Sequence, residues 1–433
     1  MRLTVFIIAS YLFTTVANAS EVVPANVSLS ENDRTLMAWV DSHANAILEE
    51  LRQHVDLNTG TANIAGLDQY RERLQSDLEQ LGFATQTHAS AAQAILTCGG
   101  GQMQFADHLI ARRQGGNGPR LLLNGHMDTV FPHDDEFQKL MVSEDGTLAG
   151  PGVADMKGGI VIMLNALRAL NAQGLLKDVN LTVLLNSDEE IGSLGSRPLI
   201  EELAREHDIG LVFEGSWGNT VTRARKGLGQ ARLVVRGRES HAGGAHPDGV
   251  SANLELAQKI VEIEQLTDYE KQTTVNTGVM RGGEKRNTVA GCADAYIDMR
   301  FPDQAAGEQL QKGIKRVAAK QFVHNPNHPE LPITEYWSVL HRPVKPADRK
   351  VDELIALAMG YSVLIGEPIT GTRYSGGGTD GSIAQAVGLP TMDSLGIDGD
   401  GAHSSRETAT VKSLIARTKL VAVLMAHLLV QSE

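Results

Sequence analysis

Apolar positions along the chain recur in two rhythms, and the switches between them outline the fold. From Glu31 to Val55 apolar side chains (Leu36, Val40, Ala44, Ile47, Leu48, Leu51) return at helical spacing, and Ile64 to Leu81 continues in that style. Both stretches predict surface helices over a sheet. Leu109 to Arg112 and Arg120 to Asn124 are short apolar runs separated by Gly and Asn turns, which predicts paired strands. An apolar helix follows at Ile160 to Leu170, then two runs of buried-strand type at Asn180 to Asn186 and Ile209 to Phe213.

After Gly229 the rhythm changes. The pattern predicts a strand at Gly229 to Gly237, a helix at Ser251 to Leu266, and strands at Thr274 to Met280 and Ala290 to Phe301. A helix at Ala306 to Phe322 and a strand at Thr334 to Leu340 complete the order βαββαβ, the ferredoxin-like pattern of a compact second domain. Helices at Val351 to Leu364, Ile383 to Val387 and Lys412 to Leu429, with a strand at Pro390 to Ser394, then resume the earlier style, so the second domain is read as an insertion. The expected division is 20–227 and 342–433 for the first domain and 228–341 for the insert.

Length and composition fit that division. At 433 residues the chain exceeds one ordinary core, and 42% hydrophobic content argues for a folded protein. A formal net charge of −13 gives no basic footprint for nucleic acid or an anionic membrane. Residues 1–19 have the form of a secretory signal: Arg2, a mostly apolar core from Leu3 to Val16, and Ala17-Asn18-Ala19 as a cleavage site. The expectation is an exported protein, periplasmic or secreted, with no membrane segment after processing. Of the two cysteines, Cys98 and Cys292, neither lies in a CxxC spacing, so a thiolate metal site is excluded and a disulfide is permitted but not indicated.

The chemistry gathers where strands end. The run Leu121 to Leu123 leads into His126 and Asp128, which alternation along an extended chain puts on one side. The imidazole can bind a divalent metal while the carboxylate accepts the other ring N–H. Asp155, among the glycines of GPGVADMKGG, can bridge two cations. Two further strands end in Glu189-Glu190 and in Glu214, and sheets of this class place ligands at such ends. Neighbouring carboxylates repel unless a cation lies between them. His403 follows a Gly-rich approach that lets backbone wind closely beside a metal, whereas His133 with Asp134 and Asp135 reads as a polar loop near the cleft. There is no G-x-S-x-G, no H-E-x-x-H and no P-loop, which removes those enzyme classes.

Taken together, GHMDTV, GVADMKGG, NSDEEIGS, FEGSW, ESHAGGAHPDGVSAN, RNTVAG, SGGGTD and GAHS resemble, in order and spacing, the two-zinc exopeptidases that include aminoacylase, succinyl-diaminopimelate desuccinylase and bacterial glutamate carboxypeptidase. The exported, folate-cleaving glutamate carboxypeptidases are the most similar branch. The resemblance implies an α/β zinc-exopeptidase catalytic domain with an inserted ferredoxin-like α+β dimerisation domain. It implies two zinc ions, one on His126, Asp155 and Glu214 and one on Asp155, Glu190 and His403, with a cis peptide after Asp155. Asp128 would orient His126, and Glu189 would be the general base. Arg300, Arg342 and Asn287 would hold substrate, and His241 would reach the other subunit's site across a homodimer.

Three functions remain in view. The first is a carboxypeptidase releasing a C-terminal amino acid, glutamate foremost, from peptides or N-acyl conjugates such as folates. The second is an N-acyl-amino-acid amidohydrolase or dipeptidase, and the third a non-catalytic binding protein on the same scaffold. Trp217, the run Arg223 to Lys226, the loop Asn325 to Pro332, and Asp398 and Asp400 match no substrate-selective pattern.

Overall fold

The computed structural model describes residues 21–430, so the expected signal at 1–19 lies outside the described residues. Three helices open the first unit: α1 (Glu31–Ser42), α2 (Ala44–Val55) and α3 (Ile64–Gln80). The single helical run expected over Glu31 to Val55 is thus two, broken at His43. Its six-stranded sheet is built from β1 (Ala84–His88), β2 (His108–Arg113), β3 (Arg120–His126), β4 (Asn180–Asn186), β5 (Ile209–Val212) and β10 (Thr391–Met392). The order across the sheet is β1-β2-β4-β3-β5-β10. Strands β4, β3, β5 and β10 run parallel, while β1 and β2 form an antiparallel edge. The expected direct pairing of β2 with β3 is therefore corrected: β4 lies between them and bonds to both.

Both central strands are buried on two faces, which is why they read as unbroken apolar runs. Between β3 and β4 the chain forms α4 (Lys157–Ala172), which is buried almost all round and packs against α10 (Val411–Val430). Leu164, fully buried there, illustrates the stake: truncating such a side chain to Ala costs about 2–5 kcal/mol. On the other face, α5 (Arg197–Glu206) and α9 (Asp380–Ala386) pack together over Ile110, Leu122 and Leu184. Helix α8 (Arg349–Ile365), capped by the Asp348 carboxylate, completes the layer against α10.

The inserted unit contains β6 (Gly227–Arg236), α6 (Ala252–Glu264), β7 (Thr274–Gly282), β8 (Cys292–Phe301), α7 (Gln304–Ala318) and β9 (Ile333–Arg342). Its antiparallel sheet has the order β7-β8-β6-β9, that is second, third, first, fourth, which is the ferredoxin-like arrangement expected. Alternation divides the sheet. Ala231, Leu233, Val235, Ala293, Ala295 and Ile297 pack on α6 and α7, while Gln230, Arg232, Tyr296, Asp298 and Arg300 face the cleft. Where the chain enters and leaves, Arg225 and Lys345 exchange backbone hydrogen bonds of 2.8 and 3.1 Å, stitching the two crossings together.

Cys98 and Cys292 form a disulfide, which corrects the reading that none was indicated. Cys98 sits at the tip of a short hairpin (Gln93–Ala94 with Gln102–Met103) that leaves the first unit, and Cys292 begins β8 of the insert. Among the described residues no helix is long and apolar enough to cross a membrane.

Candidate metal centre

Three parallel strands deliver the cluster at their carboxyl ends. His126 is the last residue of β3, Glu189 and Glu190 begin the short helical turn after β4, and Glu214 follows β5 by two residues. Asp155 stands just before α4, and its bond to Met156 is cis. The glycines beside it are required by close approach: a Cβ on Gly159 would come within 1.8 Å of the Phe213 carbonyl oxygen. His403 enters from the loop after Gly399–Asp400, in the left-handed region with φ of 62°.

These side chains converge. His126 Nε2 lies 3.1 Å from Asp155 Oδ1 and 3.6 Å from Glu214 Oε1. His403 Nε2 lies 3.3 Å from Asp155 Oδ2 and 3.2 Å from Glu190 Oε2. Asp155 thus turns one oxygen to each half of the cluster, the geometry a bridging carboxylate needs. Donor atoms of His126, Asp155 and Glu190, and of His126, Glu189 and Glu214, fall within 4.8 Å of one another.

The electrostatics show what the cluster lacks within itself. Burial and then the Asp155 charge push Glu190 up to about 8 and Glu214 well above the usual carboxylate range. Burial also raises Glu189, against the pull of Arg342. Hydrogen bonds to Asp155 and Glu190 raise His403 to about 11. Burial pulls His126 down, but Glu214, Asp128 and Asp155 more than reverse it. Protons alone would neutralise these groups only in the wrong places, on imidazoles and on crowded carboxylates. The donor set, two imidazoles and three carboxylates with no thiolate, fits a pair of divalent cations, whose binding displaces such protons.

Asp128 fixes both His126 and the turn carrying the glutamates. Its Oδ1 lies 3.3 Å from His126 Nδ1, which keeps Nε2 turned toward the cluster. The same carboxylate accepts the backbone N–H groups of Glu189 and Glu190, each at 3.2 Å, and the Thr61 hydroxyl at 2.8 Å.

Two partners were not singled out from the sequence. Glu407 accepts the backbone N–H groups of Gly152, Ala154 and Asp155 at 3.0, 2.8 and 3.0 Å, so the segment following His403 cradles the Asp155 loop. Asp380, inside the SGGGTD motif but given no role, receives Ser193 at 2.5 Å and Asn186 at 2.7 Å and lies 3.2 Å from Arg342 Nη1.

The substrate-binding candidates separate. Arg300 and Arg342 line one cavity of about 420 Å³ together with Glu189, Glu190 and His403. Arg342 is placed differently from a free carboxylate ligand: it is 1% exposed and donates to Glu189 Oε1 at 2.7 Å, so it holds the candidate base. Arg300 engages Asp298 through two bonds of 2.7 and 2.9 Å. His241 and Asn287 lie together on the insert, where the Ala242 N–H reaches the Asn287 carbonyl at 3.0 Å, but they are not brought to this cavity within one chain.

A parallel-sheet unit that presents this cluster under an inserted ferredoxin-like roof defines a hydrolytic metallo-exopeptidase. The sequence model of Peptidase family M20/M25/M40 matches residues 122–427, and the chain belongs to that family. Carboxypeptidase G2 from Pseudomonas sp. (strain RS-16) is 27% identical over 415 residues, covering 95% of this chain and 96% of that protein. The dipeptidase Dug1p from Saccharomyces cerevisiae superposes with a TM-score of 0.72 at 15% identity, covering 94% of this chain and all (100%) of that one. A Bacillus subtilis protein described as a dinuclear metal-binding peptidase of this family superposes with a TM-score of 0.58 at 12% identity, covering 90% of this chain and 99% of that one.

Proposed function

We propose that the protein is a zinc-dependent carboxypeptidase that hydrolyses the amide bond to a C-terminal amino acid, glutamate foremost, in peptides or N-acyl conjugates such as folates. The observation that carries this reading is the presence of Arg300 in the same cavity as Glu189, Glu190 and His403, since a guanidinium fork matches a free carboxylate. The similarity to a carboxypeptidase along nearly the whole chain supports it.

His126, Asp155 and Glu214 would hold one ion, and Asp155, Glu190 and His403 the other. Two bound ions supply an acidified water and polarise the scissile carbonyl. Glu189, kept in place by Arg342, takes the proton of the attacking water and delivers it to the leaving nitrogen. Asp128 keeps His126 in one orientation.

We also propose a homodimer through the insert and an exported location. Leu254 and Val261 on α6 and Met280 on β7 are exposed apolar side chains that a partner could cover, and His241, also in the insert, is exposed. The disulfide supports an oxidising compartment.

One observation favours a second reading, an N-acyl-amino-acid amidohydrolase or dipeptidase: Asp298 already neutralises Arg300. The test is to incubate zinc-loaded protein with N-blocked dipeptides, free dipeptides, simple acyl amino acids and folate, and to assay the released amino acid. Glutamate from folate or blocked dipeptides is expected. Release from simple acyl amino acids or free dipeptides alone would replace the first reading by the second.

A further inference from the structure

The cleft-facing side of the inserted sheet carries a second arginine whose situation is the reverse of Arg300's. Arg232, on the central strand β6, is 7% exposed, yet its Nε and Nη1 make no hydrogen bond. It forms no ion pair among the described residues. Its guanidinium lies over the rings of its two cross-strand neighbours, 4.7 Å from the Tyr296 centroid and 5.6 Å from that of Trp337. Arg281 also lies over Tyr296, at 5.6 Å, which adds positive charge to the same patch.

This arginine is enclosed as a site rather than left on a surface. It lines the active cavity beside Gln230 and Met103, and its other side faces the hairpin residues Gln93 to Leu96. That hairpin is held down by the Cys98–Cys292 bridge, by Arg236 donating to the Cys98 carbonyl at 3.2 Å, and by the Cys98 N–H on Asp294 Oδ2 at 3.3 Å. A buried cation with idle donors is costly unless an anion completes it. Burial lowers the guanidinium below its ordinary value, against the charge and side-chain hydrogen bond of Tyr296 and, more weakly, the charge of Asp294.

Register gives the spacing. Leu228 pairs with Arg300 and Arg232 with Tyr296, so the two arginines sit four residues apart along adjacent strands, roughly 13 Å. Gln230, between them, contacts the Ile191 carbonyl next to Glu190 at 3.5 Å, so the turn that carries Glu189 and Glu190 lies against the middle of that span.

We propose that Arg232, stacked between Tyr296 and Trp337, is an anion subsite for a carboxylate on the acyl half of the substrate, on the opposite side of the scissile bond from Arg300. The proposal rests on the carboxypeptidase reading for which half is which. Among the amides of that reading it assigns as preferred those whose acyl part ends in an acid, dicarboxylic acyl groups or an acidic residue, ahead of folates.

The test compares N-succinyl-glutamate with N-acetyl-glutamate, which share the leaving amino acid and differ in the acyl carboxylate. Calorimetry on the zinc-loaded Glu189→Gln protein measures binding without turnover. The succinyl compound should bind about 30-fold more tightly or better. Arg232→Gln should erase that preference without weakening the acetyl compound, and Arg232→Lys should keep part of it, with circular dichroism and thiol titration confirming the fold and the bridge. Equal binding by the Arg232 protein, or a preference that survives Arg232→Gln, would overturn the subsite. Turnover of both compounds by the native enzyme without preference would sink the subsite alone. Preference in binding, with no glutamate released by the native enzyme from either compound, from folate or from blocked dipeptides, would sink the carboxypeptidase reading and leave the subsite standing.

Discussion

Two acid–histidine clusters occur in the first unit, and they solve the same problem in opposite ways. Glu50, His54 and Asp77, on α2 and α3, bring their donor atoms within 4.8 Å of one another, just as His126, Asp155 and Glu190 do. The helical cluster contains its own cation: Arg168 reaches Glu50 at 2.7 Å and Asp77 at 3.0 Å. Although burial pushes Glu50 up, hydrogen bonds from His54 and Arg168 bring it down to about 2. In the cleft, Glu190 and Glu214 are instead driven up by burial and by Asp155. A cluster of ligating groups is therefore not diagnostic by geometry alone. What separates the two is the compensating charge: one guanidinium serves both carboxylates of the helical cluster, whereas among the described residues Glu190 and Glu214 pair with imidazoles alone.

That contrast can be broken experimentally. Chelation should abolish hydrolysis, and added zinc should restore it, while the helical cluster needs no metal; full activity in chelated protein, measured alongside elemental analysis, would make the two clusters the same kind. Glu189→Gln should lose at least ~10²-fold in kcat and keep its metal content, because the base acts beside the ligands rather than as one. Arg168→Met should leave metal content and kcat unchanged but destabilise the fold by about 1–3 kcal/mol in denaturant titration, a partly exposed pair being worth less than a buried one.

The smallest expected effect is one of pH. A carboxyl depressed on folding adds stability that is full above its unfolded value and is lost as pH falls through its folded value. For Glu50 that window runs from the ordinary 4.5 down to about 2. Acid titrations of the unfolding free energy should show this component in the native chain and a smaller one in Arg168→Met, where His54 still holds Glu50 down. An unchanged acid limb would mean that Arg168 does not hold Glu50 down.

The same contrast explains what could be read from the sequence. His126, Glu190 and Glu214 were legible because an apolar run that stops at a ligating residue says both where a strand ends and what it presents. The βαββαβ order likewise follows from local rhythm, and the sheet has the strand order that goes with it. Partners set by distant contacts were not legible. Glu407 touches the Asp155 loop from more than 250 residues away (252 to Asp155), and a lone glutamate in Ser404 to Thr408 has no local mark. Arg342 carries the same fork whether it holds Glu189 or a substrate, so its commitment to the base is a fact of packing. The neighbour of β3 was misplaced for a related reason: a strand's sequence reports its burial, not which strand lies beside it.

The bridge between Cys98 and Cys292 has a consequence for how the molecule opens. The roof is hinged to the floor along one edge by the paired crossings at Arg225 and Lys345, and the disulfide clasps it again through the hairpin. Like a book fastened at the fore-edge as well as bound at the spine, the oxidised protein cannot gape without carrying that hairpin along. Material made in a reducing cytosol would have the clasp undone, so a substrate profile measured on it would describe a looser vessel than the one the chain encodes.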